Sequence, residues 1–140
     1  MRFGPLEPTG ILRVVEVNTI GPLLATRAVV ERLSASERGR VVSVSSWLGS
    51  IERKQSGGND GCCASKATLN MLTCAAAFDL AECGIVSVVV NPGWVSTDMG
   101  GSRAHLTPEQ SMPGLVSLTD TFTPSHAGGF FQWDGSEYAW

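Results

Sequence analysis

Charge is scarce in this sequence. Asp, Glu, Lys and Arg make up 16% of its 140 residues, the net charge is -3, and lysine and arginine form no stripe. Such a surface has no general attraction for a phosphate backbone, so no nucleic-acid partner is expected. Long apolar runs are also lacking: the best, Met71 to Phe78 and Ile85 to Val90, fall far short of the roughly 20 residues that cross a bilayer, and no membrane partner is expected. The opening Met1-Arg2-Phe3-Gly4-Pro5-Leu6-Glu7-Pro8 holds no apolar stretch followed by a small-residue cleavage site, which points to a cytoplasmic chain. Metal-ligand spacing is missing as well. Cys62, Cys63, Cys74 and Cys83 cluster in or beside one helical stretch without a Cys-x2-Cys frame, and His105 and His126 stand apart in loop-like sequence, so no metal and no disulfide is expected. A Gly-x-Ser-x-Gly elbow and a Walker-type loop are both absent, which removes serine hydrolases and phosphate-loop enzymes.

What is present is apolar: 43% of the chain is hydrophobic, enough for a packed core, and the length suits one domain over residues 1–140. From Thr9 to Leu33, Ile11, Leu12, Val15, Ile20, Leu24 and Ala28 recur at helical spacing. Thr9 offers an N-cap, and Gly21-Pro22 predicts a kink. The valine-rich Arg40 to Ser45 reads as a strand, the polar and glycine-rich Ser50 to Gly61 as a loop, and Cys62 to Glu82 as a second long helix stopped near Gly84. Ile85 to Val90 is nearly unbroken in β-branched residues, as in a parallel strand covered on both faces. A weaker helix is predicted between Thr107 and Thr121, and a last strand at Phe130 to Trp133 is closed by Asp134-Gly135. Strand, helix, strand in this order predicts an α/β fold with a parallel sheet.

Four short motifs in order resemble the short-chain dehydrogenase/reductase family, with the carbonyl-reductase-like branch the nearest in character. They are Val17-Asn18-Thr19-Ile20-Gly21-Pro22, Val44-Ser45-Ser46-Trp47-Leu48-Gly49, Cys62-Cys63-Ala64-Ser65-Lys66-Ala67-Thr68-Leu69-Asn70, and Asn91-Pro92-Gly93-Trp94-Val95-Ser96-Thr97-Asp98-Met99. The resemblance implies a Rossmann-like, doubly wound parallel sheet, here partial, with about three strands, two long helices and the amino-terminal strands missing. It also implies NAD(P)-dependent oxidation or reduction of a small carbonyl or alcohol substrate. By position, Asn18 matches the family's helix-breaking asparagine that holds a relay water, and Ser46 the serine that hydrogen-bonds the substrate carbonyl. Lys66 matches the lysine that tunes the catalytic phenol and binds the nicotinamide ribose. Pro92 and Gly93 match the segment that packs on the nicotinamide, with Val95 and Thr97 binding its carboxamide. Residues at about 94–124 fall where substrate is contacted.

Two departures bear on activity. Cys62 stands where the family has its catalytic tyrosine. Acidity is not the obstacle, since thiols as a class titrate nearer neutrality than phenols, but a sulfur on the same Cα cannot reach where a phenol oxygen lies, and proton transfer needs contact at roughly 2.6 to 3.2 Å or one bridging water. Cys63 lies about 100° around the helix and Tyr138 has no motif about it, so neither is a replacement. No Gly-x-x-x-Gly-x-Gly turn occurs for the pyrophosphate, and tight NAD(P) binding by this chain alone is not expected.

Two functions stand side by side. One is an impaired or inactive oxidoreductase of this family. The other is a non-catalytic, truncated family member that pairs with itself or with full-length relatives through the helices at Thr9 to Leu33 and Cys62 to Glu82.

Overall fold

The computed structural model describes residues 6–140. Its centre is a three-stranded parallel sheet in the order β1 (Arg40–Val44), β2 (Val86–Asn91), β3 (Phe130–Gln132), with Val42 opposite Val88 and Val90 opposite Phe131. Every residue of β2 is buried. Its alternation assigns the faces: Val86, Val88 and Val90 form a core with Phe122 and Phe131, onto which Val42, Leu115 and Leu118 pack. The opposite face meets the second long helix, where Thr73 donates to Ser43 Oγ at 3.1 Å. Helices thus lie on both faces, as the doubly wound expectation requires.

The first helical unit begins as α1 (Pro8–Val15), with Pro8 in the first turn, where its missing amide costs nothing. Thr9 does not cap it. Glu7 holds the cap position, and the Thr9 hydroxyl donates to Glu7 Oε1 at 2.6 Å. The interruption takes the form of a π-helical turn over Glu16–Ile20, directly before Gly21-Pro22, after which α2 (Gly21–Ser34) continues. The reason is local: Gly21 N–H reaches five residues back to Glu16 O, while Pro22 brings no N–H to the Asn18 carbonyl four residues back.

After β1 a 3-10 turn at Trp47–Gly49 leads into the loop before α3 (Asp60–Glu82). Asn59 takes a left-handed φ of 58°, so α3 starts two residues ahead of the predicted Cys62 and places Cys62 in its first turn. Gly84, at φ 73°, stops it, and Ile85 N returns to Leu80 O. The predicted third helix is α4 (Pro108–Thr121), opened by a capping box in which Gln110 accepts from Thr107 N at 2.8 Å. Beyond β3 the chain folds back, with Tyr138 N bonding Phe130 O at 2.8 Å. Among the described residues, no helix is long and apolar enough to cross a membrane, and no group of three or more His, Cys, Asp or Glu residues is placed to hold a metal ion.

Candidate active site

The π-helical turn lies against the first turns of α3. Asn18 Nδ2 donates to Ser65 Oγ at 3.1 Å, Ser65 Oγ donates to Cys62 O at 2.9 Å, and Thr19 Oγ1 donates to Ser65 O at 2.8 Å. Thr19 and Ser65 are fully buried, so these bonds replace water rather than compete with it. The widened turn therefore serves a purpose: it brings the side chains at 18 and 19 to the helix that carries Cys62 and Lys66.

Lys66 lies one helical turn beyond Cys62, on the same face. Its ammonium donates to Val44 O at 2.9 Å. Burial is the larger influence on this group and holds its pKa below the usual lysine value, while the Cys62 side chain acts in the opposite direction. The Cys62 thiol is half-buried and free of any disulfide.

Ser46 lies two residues beyond β1 and caps the 3-10 turn. Its Oγ accepts from Leu48 N at 3.2 Å, which leaves the hydroxyl hydrogen to donate elsewhere. Three buried contacts hold this loop. Ser45 Oγ donates to Asn70 Oδ1 at 2.5 Å, Asn70 Nδ2 donates to Gly49 O at 3.2 Å, and Gly49 lies so close to α3 that a Cβ there would meet Lys66 Cβ at 3.0 Å.

The loop is joined to the bend after β2 by one side chain. Asn91 Oδ1 accepts from both Trp47 N at 3.1 Å and Gly93 N at 3.2 Å. Gly93 has a φ of 80°, a conformation that favours glycine, and Pro92 O accepts from Ser111 Oγ of α4 at 2.6 Å. Val95 bridges to Leu106, and Thr97 Oγ1 accepts from Gly100 N at 3.1 Å, its own hydrogen left free to donate. Among the described residues, Val95 and Thr97 share no hydrogen bond with Asn18, Ser46, Cys62 or Lys66.

The structure thus links Asn18 to Cys62 through Ser65, and Ser46 to Pro92-Gly93 through Asn91. Asn91, Asn70 and Ser65 are the positioning residues that motif reading passes over. All three lie inside the quoted motifs, and their buried polar character among apolar neighbours is the signal that marks them. Cys63 faces away, accepting from Lys54 Nζ at 3.3 Å, and Tyr138 packs edge-on against Phe130 with ring centroids 5.1 Å apart. An apolar cleft of about 240 Å3 lined by Gly49, Ile51, Ala67, Asn70, Met71, Cys74 and Trp140 meets the site at Asn70 and Gly49, and Asn18, Ser46, Cys62 and Lys66 do not border it.

This geometry has counterparts. The family model described as short chain dehydrogenase matches residues 2–106. The chain is 36% identical over 138 residues to the C-signal of Myxococcus xanthus, covering 99% of this chain and 83% of that protein. It is also 36% identical over 141 residues to 1-hydroxy-2-glutathionyl-2-methyl-3-butene dehydrogenase of Rhodococcus sp. (strain AD45), covering 98% of this chain but 62% of that one. The carbonyl reductase Sniffer of D. melanogaster superposes with a TM-score of 0.93 at 31% identity, over all of this chain and 61% of that one. The NADPH-bound carbonyl reductase from chicken fatty liver superposes with a TM-score of 0.91 at 31% identity, over 96% of this chain and 59% of that one. The chain therefore spans about three fifths of these solved carbonyl reductases. Motifs, parallel sheet and relatives agree: this chain belongs to the short chain dehydrogenase family.

Proposed function

We propose that the chain is a nicotinamide-dependent carbonyl or alcohol oxidoreductase by lineage, with its proton-transfer step impaired at Cys62. The observation that carries this reading is that Asn18 bonds, through Ser65, to the Cys62 backbone carbonyl in the first turn of α3, with Lys66 one turn on, on the same face as Cys62. A bound nicotinamide would supply or accept hydride at the carbonyl carbon. Ser46, whose hydroxyl hydrogen is unspent, would hold the substrate oxygen. Pro92 and Gly93 would pack on the nicotinamide ring, with the Val95 backbone and the free Thr97 hydroxyl hydrogen on the carboxamide. Lys66 would leave Val44 O for the ribose, and residues at about 94–124 would form the substrate side. These residues suit the nicotinamide end of a cofactor alone, because the sequence has no glycine-rich turn for the pyrophosphate. Calorimetric titration of the chain with NADPH and with NADH tests this: affinity of roughly millimolar strength is expected, and no heat at millimolar cofactor would remove the reading.

A second reading, a non-catalytic partner protein, is favoured by one observation. Leu12 and Leu24 on α1 and α2, and Met71 and Phe78 on α3, stand exposed, Phe78 at 75%. Helix-to-helix pairing with another copy or a full-length relative would cover them. Light scattering on the wild type and on Phe78→Asp tests it, and a monomer that ignores full-length relatives would remove it.

A further inference from the structure

One side chain of the loop between the 3-10 turn and α3 folds back onto the helix. Lys54 Nζ donates to Gly58 O at 3.2 Å and to Cys63 Sγ at 3.3 Å, and Cys63 Sγ in turn reaches Gly58 O at 3.8 Å. An amine and a thiol, both nucleophilic side chains, thus touch outside the candidate active site. Lys54 is exposed and Cys63 half-buried, and a Cβ at Gly57 or Gly58 would meet nothing within 4 Å, so a small reagent in water has an open approach to the pair. The other cysteines are not placed to compete. Cys62 points about 100° away around α3, and pairing it with Cys63 would unwind a turn that Cys63 N holds on Asn59 O at 2.8 Å. Cys74 lies roughly 16 Å farther along the helix.

We propose that Lys54 and Cys63 form a reversible covalent link, a sulfenamide, when the chain meets a hydroperoxide. The Cys63 sulfur, as thiolate, attacks the outer peroxide oxygen. The O–O bond breaks, sulfur is oxidised to the sulfenic acid by two electrons, and the peroxide is reduced to an alcohol, or to water when it is hydrogen peroxide. The Lys54 ammonium gives its proton to the departing oxygen, which leaves a neutral amine beside the sulfenic acid. The amine nitrogen then attacks sulfur, an S–N bond replaces the S–O bond, and the hydroxyl leaves with an amine proton as water. Gly57 and Gly58 give the loop the freedom to close from contact to bond. The ring ties the loop that leads from Ser46 to the first turn of α3, directly beside Cys62, and it does not depend on nicotinamide binding.

The position of Lys54 makes the test specific, because trypsin cuts after a free lysine and not after a linked one. The wild type is treated with hydrogen peroxide, its free thiols are blocked, and the digest is weighed by mass spectrometry. Residues 54–66 are expected as one peptide, uncut after Lys54 and lighter by two hydrogens than the reduced form, with dithiothreitol restoring the cut. Cys62→Ser is expected to keep this peptide, and Lys54→Gln and Cys63→Ser to lose the link, with far-UV circular dichroism verifying that all three fold. An oxidised chain still cut after Lys54, with either a Cys62–Cys63 disulfide or added oxygen on Cys63, would overturn the proposal. A link that disappears in Cys62→Ser would overturn it as well.

Discussion

Lys66 donates its ammonium to the carbonyl of Val44, at the end of an edge strand, across 2.9 Å. The bond satisfies a half-buried cation, yet burial still dominates and lowers the Lys66 pKa from the usual value of about 10.4. The folded chain therefore releases this proton at lower pH than the unfolded chain does. Between the two values the unfolded state binds more protons, so the Lys66 contribution to stability rises with pH through the window just below about 10.4 and levels off above it. Urea midpoints of the wild type relative to Lys66→Met, taken from about pH 8 to about pH 10, are expected to move in the wild type's favour. A flat or falling difference would contradict the burial argument.

Asn91 joins the loop after β1 to the bend after β2. Replacing it with alanine leaves Trp47 N and Gly93 N without their acceptor at a position 3% exposed. Asn91→Ala is expected to cost about 2 to 3 kcal/mol in denaturant unfolding.

Two glycines in neighbouring loops are expected to respond in opposite senses. A Cβ at Gly49 would lie 2.9 Å from Asn70 Nδ2 and 3.0 Å from the Lys66 backbone carbon, and Asn70 is itself pinned by Ser45. Gly49→Ala should cost about 1 to 3 kcal/mol. A Cβ at Gly57 meets nothing within 4 Å, so Gly57→Ala should stabilise by about 0.4 to 1 kcal/mol through the unfolded chain. Thermal melts of the two variants check both signs.

Ser87 is the second residue of β2, 1% exposed, and its hydroxyl finds no partner. Its backbone carbonyl is already taken by Gly128 N at 2.8 Å. Ser87→Ala, which removes the orphan oxygen, is expected to be neutral or to stabilise by about 1 kcal/mol. A clear loss in urea unfolding would mean that the hydroxyl is satisfied in solution.

The strands were legible because β1 and β2 are runs of valine bounded by glycine, and β2, buried on both faces, shows no polar alternation to confuse the reading. The long helices were legible from apolar spacing. The π-turn at Glu16–Ile20 was not, because a proline acts on the carbonyl four residues before it and the widened turn falls ahead of Pro22. The start of α3 at Asp60 depends on the left-handed Asn59, a single-residue choice without periodic signature. In the site, Asn18, Ser46, Cys62 and Lys66 are legible through the family resemblance of the motifs that hold them. The roles of Asn91 and Ser65 as connectors are three-dimensional facts about which loop meets which helix. The Lys66 to Val44 bond is the least legible of all, since it requires a strand carbonyl that points off the sheet edge.

In the proposed function, Cys62 takes the proton-donor position beside Lys66, and its sulfur is too short to reach the carbonyl oxygen. The most direct measurement is the rate of carbonyl reduction by Cys62→Tyr relative to the wild type, both at millimolar NADPH, with Lys66→Met in the Cys62→Tyr background as control. A phenol at position 62 is expected to raise the rate by roughly a hundredfold or more and to lose that gain without Lys66. Equal rates for Cys62→Tyr and the wild type would contradict the claim.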